Sequence, residues 1–260
     1  MTRGMAAYTP VQQVGDYFLK RDDLFEVAGV RGGKARTCWS LAQGAVGLVT
    51  AGSRSSPQVN IVAHIARDLG IPCRVHTPEG EPSPEVADAV TCGAELVQHP
   101  AGYNSVIKAR AHDDAEDRGW TEIPFGMECE EAVRRTAAQT ANVRSNVKRI
   151  VVPVGSGMSL AGILNGLLDD ERRQRPKVLG IVVGADPVKR LDRWAPWGWM
   201  QYVDLVSSGS DYHAPCSRPW IGEGDERVAL DAHYEAKAVP FMEPGDLLWV
   251  VGIRATAVSA

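Results

Sequence analysis

Short apolar runs alternate along the chain with longer segments of helical periodicity. Runs at 48–50, 73–76, 95–98, 150–154, 178–183 and 247–251 read as buried strands. The proline-free segments 60–69, 85–92, 104–118 and 128–143 read as helices long enough to cross between parallel strands. Strand and helix in strict alternation predict an α/β fold built on parallel sheets. Between 187 and 220 the pattern dissolves into a stretch rich in Trp, Pro, Gly and Ser, with Trp194, Trp197, Trp199 and Trp220 in or beside it. It reads as a packed irregular loop, with a lid or partner surface as the alternative.

The sharpest local pattern is Arg149-Ile150-Val151-Val152-Pro153-Val154-Gly155-Ser156-Gly157-Met158-Ser159-Leu160-Ala161-Gly162, a buried strand breaking into a Gly/Ser turn and then a helix. Leu160, Ile163, Leu164, Leu167 and Leu168 share one helical face, so the turn sits at a helix N-terminus. Glycines let the backbone approach a ligand, first-turn N–H groups point outward, and the dipole adds about half a positive charge, so a phosphate is the expected guest. The dinucleotide pattern would need Gly where Leu160 stands, and a P-loop would need a Lys-Ser/Thr pair after Gly157. A cofactor phosphate and a phosphorylated sugar both remain open.

Upstream, Tyr17-Phe18-Leu19-Lys20-Arg21-Asp22-Asp23-Leu24 leads to Gly32-Gly33-Lys34-Ala35-Arg36. Two glycines give the backbone room beside a bound group, and a following helix through Ala42 holds the lysine. A partly desolvated lysine can form a Schiff base, whereas an ordinary lysine at a helix start is merely solvated. A second strand-turn-helix follows at Ala51-Gly52-Ser53-Arg54-Ser55-Ser56-Pro57-Gln58, where the Ser53, Ser55 and Ser56 hydroxyls can cap the helix and face a ligand.

In this order the three segments resemble the fold-type II pyridoxal 5′-phosphate (PLP) enzymes, the tryptophan synthase β-like superfamily. The branch containing aminocyclopropane-carboxylate deaminase and D-cysteine desulfhydrase is the nearest in motif. There a K-R-D/E-D segment precedes G-G-N-K, whose lysine carries the cofactor; a G-G-x-x-S-N-H/Q loop lies under the ring; and a G-S-G-G-T-like turn binds the phosphate. Lys20-Arg21-Asp22-Asp23, Gly32-Gly33-Lys34, Ser56-Pro57-Gln58 and Gly155-Ser156-Gly157-Met158-Ser159 occupy those places. Leu230-Asp231-Ala232-His233-Tyr234-Glu235-Ala236-Lys237 is similar to the branch's L-D-P-V-Y-E-G-K.

The resemblance implies a two-lobed, three-layer parallel-sheet fold, shortened, with residues 1–42 and 128–260 in a larger cofactor-phosphate lobe and 43–127 in a smaller mobile one. It implies PLP as cofactor and Lys34, Ser56 and Tyr234 as catalytic residues. Lys34, Ser56, Gln58, Gly155, Ser156, Gly157, Met158, Ser159 and Glu235 are the implied cofactor-binding set. Glu235 would lie near the pyridine nitrogen, favouring its protonated form. Lys34, released as a free amine, would shuttle protons during elimination, replacement or deamination of an amine or amino acid, or of a larger amine substrate. A homodimer is implied as well.

The sequence also departs from the branch. Pro57 replaces the asparagine that bonds the ring hydroxyl, with Gln58 or Asn60 as candidate substitutes; Gly33 replaces the asparagine before the lysine. The terminal H-T-G-G becomes Val251-Gly252-Ile253-Arg254, and the substrate loop shrinks to Phe125-Gly126-Met127-Glu128. Against the PLP reading stand a phosphoribosyltransferase-like enzyme, a PLP-binding scaffold without catalysis, and a non-enzymatic interaction module using the tryptophans.

Composition fits a cytosolic enzyme. The 260 residues, 44% hydrophobic and 23% charged, suffice for a full core. A net charge of −4 argues against a nonspecific nucleic-acid surface, and the pairs Arg134-Arg135 and Arg172-Arg173 read as solvated helix faces. Five cysteines without a C-x-x-C pair suggest neither a disulfide framework nor a zinc site. No run reaches membrane-spanning length, and the start Met1-Thr2-Arg3-Gly4-Met5 lacks a signal peptide's apolar core. Six scattered histidines show no metal spacing, His64 reads as packed, and no metal is predicted.

Overall fold

The computed structural model describes residues 8–53, 56–100, 102–169 and 175–252. Met1 to Met5, Arg54, Ser55, Arg172, Arg173, Ile253 and Arg254, named above, lie outside the described residues. The rest fall into two compact units, residues 26–131 and residues 8–25 with 132–252. Residues 26–42, assigned from the sequence to the larger lobe, group with 43–131. The cause is packing, since the helix α1 (Gly33–Leu41) rests on α2 (Pro57–Leu69) and on the hairpin of Glu26–Val27 and Val30–Arg31.

Residues 26–131 carry a four-stranded parallel sheet in the order Glu95–His99, Cys73–Pro78, Leu48–Ala51, Thr121–Ile123. Its central strand is buried at every position, as a run of four apolar or hydroxyl residues requires when both faces are covered. Val49 and Ala51 pack on Ile107, Ala111 and Ala115 of α4 (Asn104–Arg118), while the intervening Thr50 bonds Gln58 of α2. Alternation along the strand therefore puts α2 and α4 on opposite faces, which makes three layers. Helix α3 (Pro84–Thr91) packs beside α2. Helix α5 (Glu130–Ala138) leads into the other unit and ends earlier than the periodicity predicts, continuing as a 3-10 turn over Gln139–Asn142.

The second unit is built on six strands in the order Val11–Val14, Tyr17–Arg21, Leu247–Val250, Arg149–Val154, Lys177–Val182, Val203–Ser207. All pair in parallel except the first, which forms a hairpin with Tyr17–Arg21. The Lys20-Asp22 segment pins this sheet from inside. Lys20 is wholly buried, donates to the Thr9 carbonyl at 2.7 Å and to Asn142 Oδ1 at 2.6 Å, and lies 5.7 Å from the Trp249 ring centre. Asp22 accepts from the Thr9 hydroxyl at 2.8 Å, so burial of these charges comes with partners.

The stretch read as an irregular loop is more ordered than its composition suggests. It contains α7 (Val188–Trp194) and the edge strand Val203–Ser207, which continues the parallel sheet. Trp199 is buried and donates its indole N–H to Asp192, whereas Trp197 is fully exposed. Helix α6 (Met158–Asp169) follows the strand Arg149–Val154 through the predicted glycine turn.

Candidate active site

In the unit of residues 26–131, Lys34 is the second residue of α1 and half-buried, and the helix is capped by Gly32 at φ +95°, a backbone that side chains rarely adopt. The pair Gly32-Gly33 therefore turns the chain into the helix and leaves the lysine on its first turn, beside the buried Ala35 and Arg36.

Ser56 is the N-cap of α2, its hydroxyl accepting from the Gln58 N–H at 3.3 Å. Pro57 is the first helical residue, where the absent N–H is one the helix leaves unpaired anyway; the helix thus begins earlier than the predicted residue 60. Gln58 is fully buried and spends both amide hydrogens inside the unit, on Thr50 Oγ1 at 2.9 Å and the Pro124 carbonyl at 2.8 Å. Its Oε1 accepts from the Gly126 N–H at 2.8 Å. With no donor left for a ring hydroxyl, Gln58 acts as a tie between the ends of neighbouring strands, which corrects its sequence assignment to the cofactor. Asn60 does not replace it either, because its amide turns toward α3 and donates to Asp88 at 3.2 Å.

In the other unit, the turn Gly155 to Ser159 opens α6. Gly157 sits at φ +88°, with Pro187 and Leu191 of α7 packed where a side chain would go. First-turn N–H groups of a helix have no acceptor within it, and the twelve-residue α6 aims its dipole at this turn. Gly155 is the exception. Its N–H donates to the Tyr234 hydroxyl at 2.8 Å, and that hydroxyl donates to the Pro153 carbonyl at 3.0 Å. Gly155 thus offers no N–H to a ligand, and Tyr234 serves to hold the turn. Burial and the neighbouring Glu235 push the Tyr234 phenol well above its ordinary range, so it is a poor proton donor.

Glu235 is completely buried. Its Oε1 accepts from the Gly252 N–H at 3.1 Å, while Oε2 has no hydrogen-bond partner among the described residues. Burial first, and the Asp231 carboxylate second, push its pKa up to about 8. An unpartnered buried carboxyl oxygen suits a ring N–H, so this residue fits a pyridine-containing cofactor. Lys237, which had no assigned part, is buried and donates to the carbonyls of Asp211 and Tyr212, fastening that segment beside Tyr234. A Lys two residues after a Glu carries no pattern that would have flagged it.

Residues 7–196 match the family described as "Pyridoxal-phosphate dependent enzyme". The chain belongs to that family. Within this pyridoxal-phosphate dependent family, the biosynthetic L-threonine dehydratase IlvA of Corynebacterium glutamicum is 28% identical over 177 residues, 64% of this chain and 40% of that protein. Its counterpart from Pasteurella multocida is 30% identical over 190 residues, 68% of this chain and 36% of that protein. The chain thus spans well under half the length of these curated relatives.

Among solved structures, one described as an ACC deaminase homologue superposes with a TM-score of 0.74 at 21% identity, covering 95% of this chain and 89% of that one. Threonine deaminase isoform 2 of Solanum lycopersicum gives 0.64 at 13% identity, with coverages of 96% and 85%. At such identities the likeness speaks to fold, and the fold is the tryptophan synthase β-like one that the motifs imply. Pyridoxal phosphate is this family's cofactor, and the phosphoribosyltransferase reading falls away. Among the described residues, no helix is long and apolar enough to cross a membrane.

Proposed function

We propose that the chain is a PLP-dependent lyase or deaminase acting on an amine or amino-acid substrate, with Lys34 as the residue that carries the cofactor. The observation behind this reading is Glu235, a fully buried carboxyl whose Oε2 is unpartnered among the described residues, on a chain whose family uses a pyridine cofactor. When bound, pyridoxal phosphate supplies an electron sink for negative charge developing beside the substrate amine.

The remaining work falls to side chains and backbone. Ser156, Gly157, Met158 and Ser159 bind phosphate oxygens through first-turn N–H groups and the Ser159 hydroxyl. Glu235 would hold a proton at Oε2, where a pyridine nitrogen could share it. Lys34 Nζ moves the proton at the substrate Cα, with Ser56 Oγ as the second candidate for proton transfer. Tyr234 keeps the turn in shape through Gly155 and Pro153. The names of the curated relatives, L-threonine dehydratases, support elimination with deamination over replacement. A cytosolic homodimer belongs to the same proposal.

The test is the absorption spectrum of purified protein with added PLP, before and after borohydride, followed by peptide mass mapping. An adduct fixed on Lys34, and absent from Lys34→Ala, is the expected result. A reducible adduct that persists in Lys34→Ala, or none in the native protein, overturns the assignment and leaves a scaffold without this chemistry.

A further inference from the structure

A cluster of metal-ligating side chains lies away from these residues, between α2 and α3. Asn60 and His64 are one helical turn apart on α2, and Asp88 and Cys92 are one turn apart at the end of α3, so each helix presents two donors to the other. The donor atoms of His64, Asp88 and Cys92 all lie within 4.8 Å of one another. His64 Nε2 is 2.8 Å from Asp88 Oδ2, and Asn60 Nδ2 is 3.2 Å from the same oxygen.

A second, independent observation is the Asn60 amide. It is 1% exposed, its Nδ2 faces Asp88, and its Oδ1 has no hydrogen-bond partner among the described residues; turning the amide over about its Cβ–Cγ bond exchanges the two ends and brings Oδ1 to the cluster. A buried amide oxygen left bare costs about 1–3 kcal/mol, a cost that a cation at this point removes.

We propose that His64, Asp88, Cys92 and the Asn60 amide oxygen form a structural site for a zinc-class divalent ion. Imidazole nitrogen, thiolate sulfur and carboxylate oxygen are the zinc donor set, whereas calcium and magnesium take oxygen alone. Asp88 and a Cys92 thiolate together balance a charge of two. Loading releases the Cys92 thiol proton to solvent and leaves the imidazole proton on His64 Nδ1. Arg67 opposes it, because its guanidinium lies 3.1 Å from that nitrogen. The ion would clamp α3 to the helix that carries Ser56 and Gln58 at its start. None of this rests on the cofactor reading.

The test uses metal-free protein titrated with Zn(II) and with Co(II), in the native chain and in Lys34→Ala, so that cofactor chemistry plays no part. Expected are one equivalent bound per chain, a tetrahedral Co(II) spectrum with thiolate-to-metal charge transfer, and a zinc-induced rise in melting temperature. Cys92→Ser loses the charge-transfer band, and it and His64→Gln each weaken zinc by more than about tenfold. Arg67→Ala binds more tightly, and Cys216→Ser, in the other unit, binds as the native chain does. Circular dichroism confirms that each variant is folded; His64→Gln decides the matter if Cys92→Ser is not. Absence of stoichiometric binding, or a charge-transfer band that survives in folded Cys92→Ser, overturns the site and leaves His64 and Asp88 as an ion pair between helices.

Discussion

The Tyr234 hydroxyl bridges two backbone groups at the end of one strand, accepting from Gly155 at 2.8 Å and donating to Pro153 at 3.0 Å. A side chain from far along the sequence thereby sets the shape of the turn assigned to the cofactor phosphate. Tyr234→Phe leaves the Gly155 N–H unpaired and is expected to cost about 1 kcal/mol. A PLP titration reads this as affinity several-fold weaker with the Lys34 adduct intact. Loss of the adduct with unchanged affinity would instead make the phenol a participant in proton transfer.

Ser159 lies on the first turn of α6, where its backbone N–H remains after truncation. Ser159→Ala is expected to weaken PLP binding by about tenfold, the loss of one hydrogen bond to a charged group, without removing the borohydride-fixed adduct. Phosphate competition against PLP checks the same contact. Equal affinities in native and variant protein would take Ser159 out of the set.

Glu235 makes the unloaded protein lose stability as pH rises from the acid range to about 8. The folded state keeps its proton up to about pH 8, whereas the unfolded chain releases it near 4.5. Between these values the folded state binds more protons than the unfolded, so this group's share of stability falls as pH rises through that window and levels off above it. Glu235→Gln abolishes the slope. Melting temperatures of the two proteins from pH 5 to 9 should diverge in favour of the variant, and parallel curves would show that Glu235 ionises normally.

Lys20 is expected to be structural. Lys20→Met fills a similar volume but leaves Asn142 Oδ1 without that donor, and should cost about 1–3 kcal/mol in urea unfolding. The Thr9 carbonyl keeps a bond from the Asn142 amide at 2.8 Å, which limits the loss. Unchanged stability would mean that the buried cation contributes nothing net.

The parallel sheets were legible in the alternation of apolar runs and periodic segments, because strands covered on both faces leave short unbroken apolar runs and crossover helices leave a period of 3.6. Gly32, Gly33 and Gly157 were legible as backbone devices for the same local reason. Pro57 was not: it looked like a missing amide, and the structure makes it the start of a helix. The Gln58 bonds to Thr50, Pro124 and Gly126 join segments far apart in sequence, and no local pattern reveals that its donors are spent. Helix α7 and the strand Val203–Ser207 were hidden by tryptophan, proline and glycine around them. The Asn60, His64, Asp88 and Cys92 grouping escaped because each helix supplies half of it.

The order of strands also dictates an order of assembly. Residues 26–131 are contiguous, so their sheet can close as soon as that stretch has left the ribosome. The hairpin of Val11–Val14 and Tyr17–Arg21, made before that stretch, meets the rest of its sheet only through Leu247–Val250, made after it. Until Leu247–Val250 arrives, the inner edge of Tyr17–Arg21 stands without its strand partner, so an early hairpin has to be captured by a strand made much later.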